Sequence, residues 1–104
     1  MVQALENWAI LEGTVQSVRP SDVRADLDAV ELAVDRVAPL DPYPNLLAEA
    51  QGAAVAVIIP RAVVRAQSIE AGVRIRCRAR RASPFAIFAS PDDLTVLSRP
   101  FPRR

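Results

Sequence analysis

The sequence predicts a small all-β barrel of five strands with one short helix, which lies between the third and fourth strands. The chain has 104 residues, the length of one domain with a modest core. Apolar and polar residues alternate over several short segments, the pattern of strands that bury one face. Because 51% of the residues are hydrophobic and only 5% are aromatic, we expect a core of Val, Ile, Leu and Ala.

The first two strands are predicted in the N-terminal third of the chain. Apolar residues alternate over residues 8–18, and Gly13 inside this segment indicates a bulge or a bend. Residues 19–22 (Arg-Pro-Ser-Asp) are predicted to form a turn. Over residues 23–37 the apolar pattern changes phase near Ala29. This leaves two alternatives, one long bulged strand or a loop followed by a strand from about Ala29.

The middle of the chain is predicted to contain a loop, a strand and the helix. Residues 39–44 hold three prolines and should form a rigid surface loop. Residues 45–51 are predicted to form a short helical segment, with an Asn cap at its start and a Gly just after its end. Residues 53–59 are short and rich in β-branched side chains, which favours a buried strand. Residues 60–71 are predicted to be helical.

The last two strands follow, and the chain then ends in a tail. Residues 73–81 alternate strictly and should form the fourth strand, with a turn at residues 82–84. The fifth strand is predicted in two pieces, residues 85–89 and 94–97, on either side of a Ser-Pro-Asp-Asp segment. We expect residues 1–97 to form a single barrel domain and residues 98–104 to be a flexible Pro- and Arg-rich tail.

The predicted core takes one or two inward-facing apolar residues from each strand. Its members are Ile10 or Leu11, Val15, Leu32, Val34, Val57, Ile75, Cys77, Ile87 and Val96.

Three segments resemble a known fold family. Residues 12–15 (Glu-Gly-Thr-Val) look like a glycine-bent first strand, residues 69–79 look like a helix end, a glycine and a fourth strand, and residues 85–97 look like a closing strand. Together with the strand order they resemble the oligonucleotide/oligosaccharide-binding fold, a five-stranded Greek-key barrel. The resemblance implies that the fourth strand lies beside the first and the fifth.

The strongest chemical pattern is a row of arginines on the fourth strand. Arg74, Arg76, Arg78 and Arg80 alternate with apolar residues, so they should share one face, continued by Arg81. We call the first four residues the arginine row. Guanidinium groups suit phosphate oxygens, and each neutralised phosphate adds salt-dependent affinity.

Other residues are predicted to extend a nucleic-acid site on the side of the fourth strand. Arg61 and Arg65 could lengthen the phosphate track, and Trp8, Phe85 or Phe88 could stack a base if exposed. In single-strand-binding members of the resembled family, strands two and three generally present outward aromatic residues. Here the second strand instead carries acidic residues, namely Asp26 or Asp28, Glu31 and Asp35.

The arginine row also has a structural interpretation. Carboxylates on the neighbouring strands, Glu12, Asp92 and Asp93, could pair with it across the sheet. The charge distribution leaves the same alternatives open. Residues 1–52 carry three Arg and nine acidic residues, and residues 53–104 carry ten Arg and three acidic residues. The two halves either form two binding surfaces of opposite sign or, as we favour, pair with each other within one barrel.

Several classes of function are not expected. The chain has no His, its one Cys lies on the apolar side of a strand, and it contains no phosphate-binding glycine motif. The close Asp pairs, at residues 26 and 28 and at 92 and 93, fit turns. We therefore expect no catalysis, cofactor, metal site or disulfide. The N-terminus is unlike a signal peptide, and the longest apolar run, residues 53–59, is too short for a membrane span, which predicts a cytosolic (cytoplasmic) protein.

The predicted function is therefore non-catalytic binding. The arginine row favours single-stranded nucleic acid as the partner. The alternative is a protein–protein interaction module or an oligomeric accessory subunit, including a homo-oligomer, that uses opposed acidic and basic faces.

Overall fold

A computed structural model of the chain describes residues 6–84 and 86–100. Within this part the backbone forms five strands, one short α-helix and one turn of 3-10 helix. The strands are β1 (Ala9–Pro20), β2 (Leu27–Pro39), β3 (Ala54–Pro60), β4 (Arg74–Ser83) and β5 (Ala86–Ser98), the helix is α1 (Arg61–Ala66), and the 3-10 turn spans Ala48–Ala50.

The strands close into a barrel in the order β1-β2-β3-β5-β4. β1 is antiparallel to both β2 and β4, β2 is antiparallel to β3, and β4 is antiparallel to β5. β3 and β5 meet in a short parallel contact that closes the ring. The predicted all-β class and the position of the helix are confirmed, and the fourth strand lies beside the first and the fifth.

Gly13 allows β1 and β2 to bend around the barrel. A Cβ atom at this position would lie 2.2 Å from the backbone oxygen of Ala33, so no other residue fits without a shift of the backbone. The register moves at the same point, because Glu12 faces Arg36 while Gly13 faces Val34. Asp35 is thus the extra residue of a β-bulge, and the predicted irregularity at Gly13 is confirmed.

The second strand and the segment after it follow one of the predicted alternatives. β2 begins at Leu27, which corresponds to a loop followed by a strand rather than to one long strand. In the next connection the side-chain oxygen of Asn45 accepts a hydrogen bond of 3.0 Å from the backbone N–H of Leu47. The 3-10 turn follows, and Gly52 has a positive φ of 84° after it. The predicted helical segment is therefore present but is only one turn long.

The α-helix is shorter than the sequence predicts. It begins after Pro60 and ends at Ala66, whereas helix was expected to residue 71. Its end is fixed by Ser68, which has a positive φ of 52°. The guanidinium group of Arg99 donates hydrogen bonds to the backbone oxygens of Gln67 and Ser68. These carbonyl groups follow the end of the helix, where backbone oxygens lack partners within the helix. The predicted tail thus begins with an anchored residue, and its residues 101–104 lie outside the described part.

The two predicted pieces of the fifth strand form one strand. Cys77 faces Leu94 and Ala79 faces Ala89, so residues 90–93 of β5 lie opposite the single residue Arg78 and form a large bulge. The Ser-Pro-Asp-Asp segment is therefore extended and does not reverse the chain.

The core lies inside the barrel and is closed at one end by α1. The predicted members are confirmed, with Leu11 rather than Ile10 facing inward and Val96 partly buried at the edge. Val64 of α1 and Ile69 after it complete the core. A second, smaller cluster lies apart from the first and contains Leu27, Ala29 and Ile58 with Phe88 packed against them.

Among residues 6–84 and 86–100, no helix has the length and apolar character needed to cross a membrane.

Candidate nucleic-acid interface

The arginine row lies on the outer face of β4 because the strand alternates strictly. Ile75, Cys77 and Ala79 are buried in the core, and the arginines between them point the other way. Alternate residues of a strand are about 6.6 Å apart, so the guanidinium groups follow one another at roughly the spacing of nucleotides in an extended strand. The predicted common face of Arg74, Arg76, Arg78 and Arg80 is confirmed.

The first two members of the row are paired with carboxylates. Arg74 forms an ion pair with Asp35 and donates a hydrogen bond of 3.2 Å to the hydroxyl of Thr14. Asp35 is the bulged residue of β2, so the bend at Gly13 belongs to the same local structure. Arg76 lies 3.8 Å from Glu12, as predicted, but the arginine side chain is half exposed. Such exposed pairs contribute only about 0–1 kcal/mol each.

The prediction that Asp92 and Asp93 pair with the row is wrong. Both lie in the bulge of β5, between the residues that face Cys77 and Ala79. Neither forms an ion pair with a member of the row. The sequence spacing suggested a regular ladder, whereas the bulge takes these carboxylates out of register.

Arg78 lies between two aromatic rings instead of beside a carboxylate. Its guanidinium carbon is 4.4 Å from the ring centre of Trp8 and 5.7 Å from that of Tyr43. Both contacts are cation–π interactions, which hold the guanidinium group in place without neutralising its charge. Its Nε atom is buried and has no hydrogen-bond partner among the described residues.

The residues around Trp8 and Tyr43 explain how the rings reach Arg78. The side-chain amide of Asn7 donates to the backbone oxygen of Arg81 at 2.9 Å and accepts from its N–H at 2.8 Å, so the chain before β1 is tied to β4. The indole N–H of Trp8 donates to Glu6 at 3.3 Å. Tyr43 comes from the proline-rich loop after β2. Tyr43 is not among the predicted site residues, and its only sequence signal is a single Tyr within a rigid loop.

Arg80, the last member of the row, lies over another aromatic ring. Its guanidinium carbon is 5.9 Å from the ring centre of Phe88, which faces it across β4 and β5. Arg80 is exposed and forms no ion pair with any described residue. Trp8 and Phe88 thus lie beside the row, and both are half-buried, whereas their predicted stacking on a base requires exposure. Phe85, the third predicted aromatic residue, lies outside the described residues.

A cavity of about 300 Å³ opens beside Arg80. Its lining includes the aromatic residues Trp8 and Phe88 and two buried aliphatic residues, Leu27 and Ile58. Arg24 and Arg80 contribute the charged part, and no Asp or Glu belongs to the lining. The guanidinium group of Arg24 is held by two hydrogen bonds to Asp26, of 2.8 and 3.1 Å.

The structure does not bring Arg81 to the face of the row. Because Arg81 follows Arg80 directly, it points to the opposite side of β4. It donates hydrogen bonds to the backbone oxygens of Leu46 and Pro84, and it forms a 2.6 Å ion pair with Glu49. Its interactions with Leu46 and Glu49 attach the segment between β2 and β3, which contains the 3-10 turn, to β4.

Arg61 and Arg65 differ in their surroundings. Arg61 begins α1 and forms a 3.0 Å ion pair with Asp28, whose side chain is only 8% exposed. This pair joins α1 to β2 near the end of the barrel. Arg65 is exposed on α1 and forms no ion pair with a described residue. Of the two predicted extensions of the track, only Arg65 has a free guanidinium group.

The ion pairs explain the unequal charge of the two halves. Within residues 6–84 and 86–100, four pairs join an arginine of the C-terminal half to a carboxylate of the N-terminal half. This supports the interpretation that the halves pair with each other. Arg78 and Arg80 remain without a carboxylate partner in this part of the chain.

Cys77 contributes to the core and not to the surface. It is 1% exposed, and burial, with a smaller contribution from the charge of Asp93, raises the pKa of its thiol from 9.0 to about 12. At neutral pH the thiol is therefore protonated and a poor nucleophile. Within the described residues, no three His, Cys, Asp or Glu side chains are placed to hold a metal ion.

Comparison with protein-family models gives no match for this chain, and comparison with curated protein sequences gives none either. The arginine row and the rings beside it are therefore the features of the molecule that bear on its function.

Proposed function

We propose that the chain binds single-stranded nucleic acid on the outer face of β1, β4 and β5. Arg76, Arg78 and Arg80 contact successive phosphates. The observation that carries this proposal is the state of Arg78 and Arg80, which lie over aromatic rings and have no carboxylate partner among the described residues. Their charge is therefore available to a polyanion.

The combination of charge and rings favours a single strand over a duplex. Proteins that bind single strands without sequence preference use a positive groove for the backbone and aromatic side chains for the bases. Trp8 and Phe88 lie within cation–π distance of the row, so both kinds of contact are close together. In a duplex the base faces are stacked and closed to such rings.

The fold supports the same proposal. A closed barrel in the order β1-β2-β3-β5-β4, with a helix after β3, has the arrangement expected of an oligonucleotide/oligosaccharide-binding fold. We include in the proposal that the chain has this fold, that it acts without catalysis or a cofactor, and that it works in the cytoplasm. Its site is shifted from strands two and three toward the fourth strand.

A protein partner is the second candidate. The observation that favours it is the pairing of Arg74 with Asp35 and of Arg76 with Glu12, which removes half of the row from simple phosphate binding. In that case Arg74 and Arg76 belong to the polar rim of an interface for docking or self-association, and Arg78 with Trp8 and Tyr43 forms its centre.

The test is the binding of a fluorescent single-stranded oligonucleotide at several salt concentrations. Three phosphate contacts on a single strand give a log–log salt slope of about −2, so affinity should fall about 20-fold between about 50 and 200 mM salt. A slope near zero or the absence of binding at low salt contradicts the proposal and favours the protein partner.

A pair of matched variants assigns the site. Arg80→Glu should weaken binding and reduce the salt slope by about 1. Arg19→Glu makes the same charge change at another exposed arginine that forms no ion pair with a described residue. Arg19 lies on the part of β1 beyond its pairing with β4, so the variant should leave the slope close to that of the parent. Equal losses in both variants would show attraction by net charge alone and would rule out a site on the row.

A further inference from the structure

We infer that the cavity lined by Trp8 and Phe88 is a subsite for one unstacked nucleobase of the bound strand. This inference rests on the proposed function, because the strand that brings the base is the one whose phosphates lie on the arginine row. The proposed function names the contacts to phosphates, and the subsite adds the position at which the protein contacts a base.

The size of the cavity fits one planar ring system. Its volume of about 300 Å³ is at the lower end of the range of about 300–1,000 Å³ for small-ligand sites. Its lining includes Leu27 and Ile58, which are 9% and 8% exposed and belong to the smaller apolar cluster. An apolar surface of this kind remains in contact with water unless a ligand covers it.

The chemistry of the lining favours a base joined to a phosphate. Trp8 and Phe88 offer ring surfaces, and Ser90 adds a half-buried hydroxyl group that can donate to or accept from a base edge. Arg80 is exposed and supplies positive charge that no described carboxylate pairs with, whereas Arg24 also lines the cavity but is paired with Asp26. A purely apolar ligand would use the rings but not the two guanidinium groups.

The cavity is continuous with the arginine row through Arg80. Arg80 faces Phe88 across β4 and β5, and Phe88 faces Ile58 across β5 and β3. A strand that follows the row from Arg76 to Arg80 therefore arrives at the cavity with its next nucleotide. Arg24 also lines the cavity, with its guanidinium group paired to Asp26.

The single tryptophan of the chain gives a direct measurement. Trp8 lines the cavity, so a base that enters it should change the intrinsic fluorescence of the protein. The probe is a thymidine oligonucleotide, compared with an abasic sugar–phosphate strand of the same length. The oligonucleotide should quench Trp8 and bind about 5- to 150-fold more tightly, the effect of stacking one base on an aromatic side chain.

Two matched variants locate the effect. Phe88→Leu keeps the cavity apolar but removes one of its two rings, so the difference in affinity between the two strands should decrease. Tyr43→Leu removes a ring that contacts the row at Arg78 but does not line the cavity, so the difference should persist. Ser90→Phe puts a bulky side chain into the space that the base would occupy, so it should abolish the difference, and it tests the subsite even if Phe88→Leu fails to fold.

The outcomes separate the subsite from the proposed function. If both strands bind equally with a steep salt dependence and Trp8 fluorescence does not change, the subsite is wrong while the phosphate track stands. If the oligonucleotide fails to bind at low salt, both proposals are wrong. Quenching by a peptide that carries an aromatic residue and acidic groups, without quenching by the oligonucleotide, would assign the cavity to a protein partner.

Discussion

The titration of Cys77 makes a quantitative prediction about stability at alkaline pH. Burial raises the pKa of this thiol from 9.0 in an exposed setting to about 12 in the folded protein. The chain has one cysteine, no lysine and no histidine. Comparison with a variant that lacks Cys77 therefore isolates the contribution of this thiol to the pH dependence of stability.

The sign follows from which state holds the proton. Between pH 9 and 12 the folded protein keeps the thiol proton while the unfolded chain has lost it, so stability falls as the pH rises. The contribution is fully present below pH 9 and is lost through about pH 12. Each pH unit costs about 1.4 kcal/mol for one proton, so the free energy of unfolding should fall by about 2 kcal/mol from pH 9 to 10.5.

Urea unfolding at pH 8, 9, 10 and 10.5, followed by circular dichroism, measures this slope. The comparison is between the parent protein and Cys77→Ala, which cannot release a thiol proton. The alanine variant should start from a lower stability, because it loses buried volume, and should then change little with pH. Parallel slopes for the two proteins would show that the Cys77 thiol is not protected by burial and would refute the reasoning.

Three further substitutions test the fold around the site. Gly13→Ala places a Cβ atom 2.2 Å from the oxygen of Ala33, so urea unfolding should show a loss of at least about 2–3 kcal/mol, and a loss under about 1 kcal/mol would contradict the close approach. Arg61→Ala leaves Asp28 buried without its ion-pair partner, so the same assay should show a loss of about 2–3 kcal/mol. The double variant Arg61→Ala with Asp28→Asn should recover part of this stability, because it removes the unpaired buried charge. No recovery would show that the loss does not come from the unpaired carboxylate. Tyr43→Ala removes one of the two rings on Arg78, so the free energy of unfolding should fall by about 1 kcal/mol and limited proteolysis should cut the loop after β2 more rapidly. An unchanged cleavage rate would show that the contact with Arg78 does not restrain the loop.

The barrel could be predicted because its local signals agree with its global order. The alternation of residues 73–81 fixes which side of β4 enters the core, and the observed burial of Cys77 and Ile75 follows from it. Gly13 predicted the bend of β1, and the close approach of Ala33 gives the physical reason. Each of these features depends on neighbours along one strand or on one glycine, which a sequence displays directly.

The partners of the arginines could not be predicted, because β-bulges set the cross-strand register. One bulge places Asp35 at Arg74, and another removes Asp92 and Asp93 from the row. A bulge shifts every later pair by one residue or more, and its position depends on packing of both strands. Arg61 was assigned to a binding track for a similar reason, since nothing in the sequence shows that it meets a buried Asp28 on β2.

The difference between paired and unpaired arginines links the fold to the proposed function. A guanidinium group in an ion pair must give up its carboxylate before it binds phosphate, which reduces the gain from the new contact. A guanidinium group over a ring keeps its charge, since the ring's attraction is weak compared with that of a carboxylate. Arg78 and Arg80 are therefore both ordered and available, and ordering before binding reduces the entropy lost on association. The part of the row with rings, next to the cavity, should thus contribute more to affinity than the part beside Glu12 and Asp35.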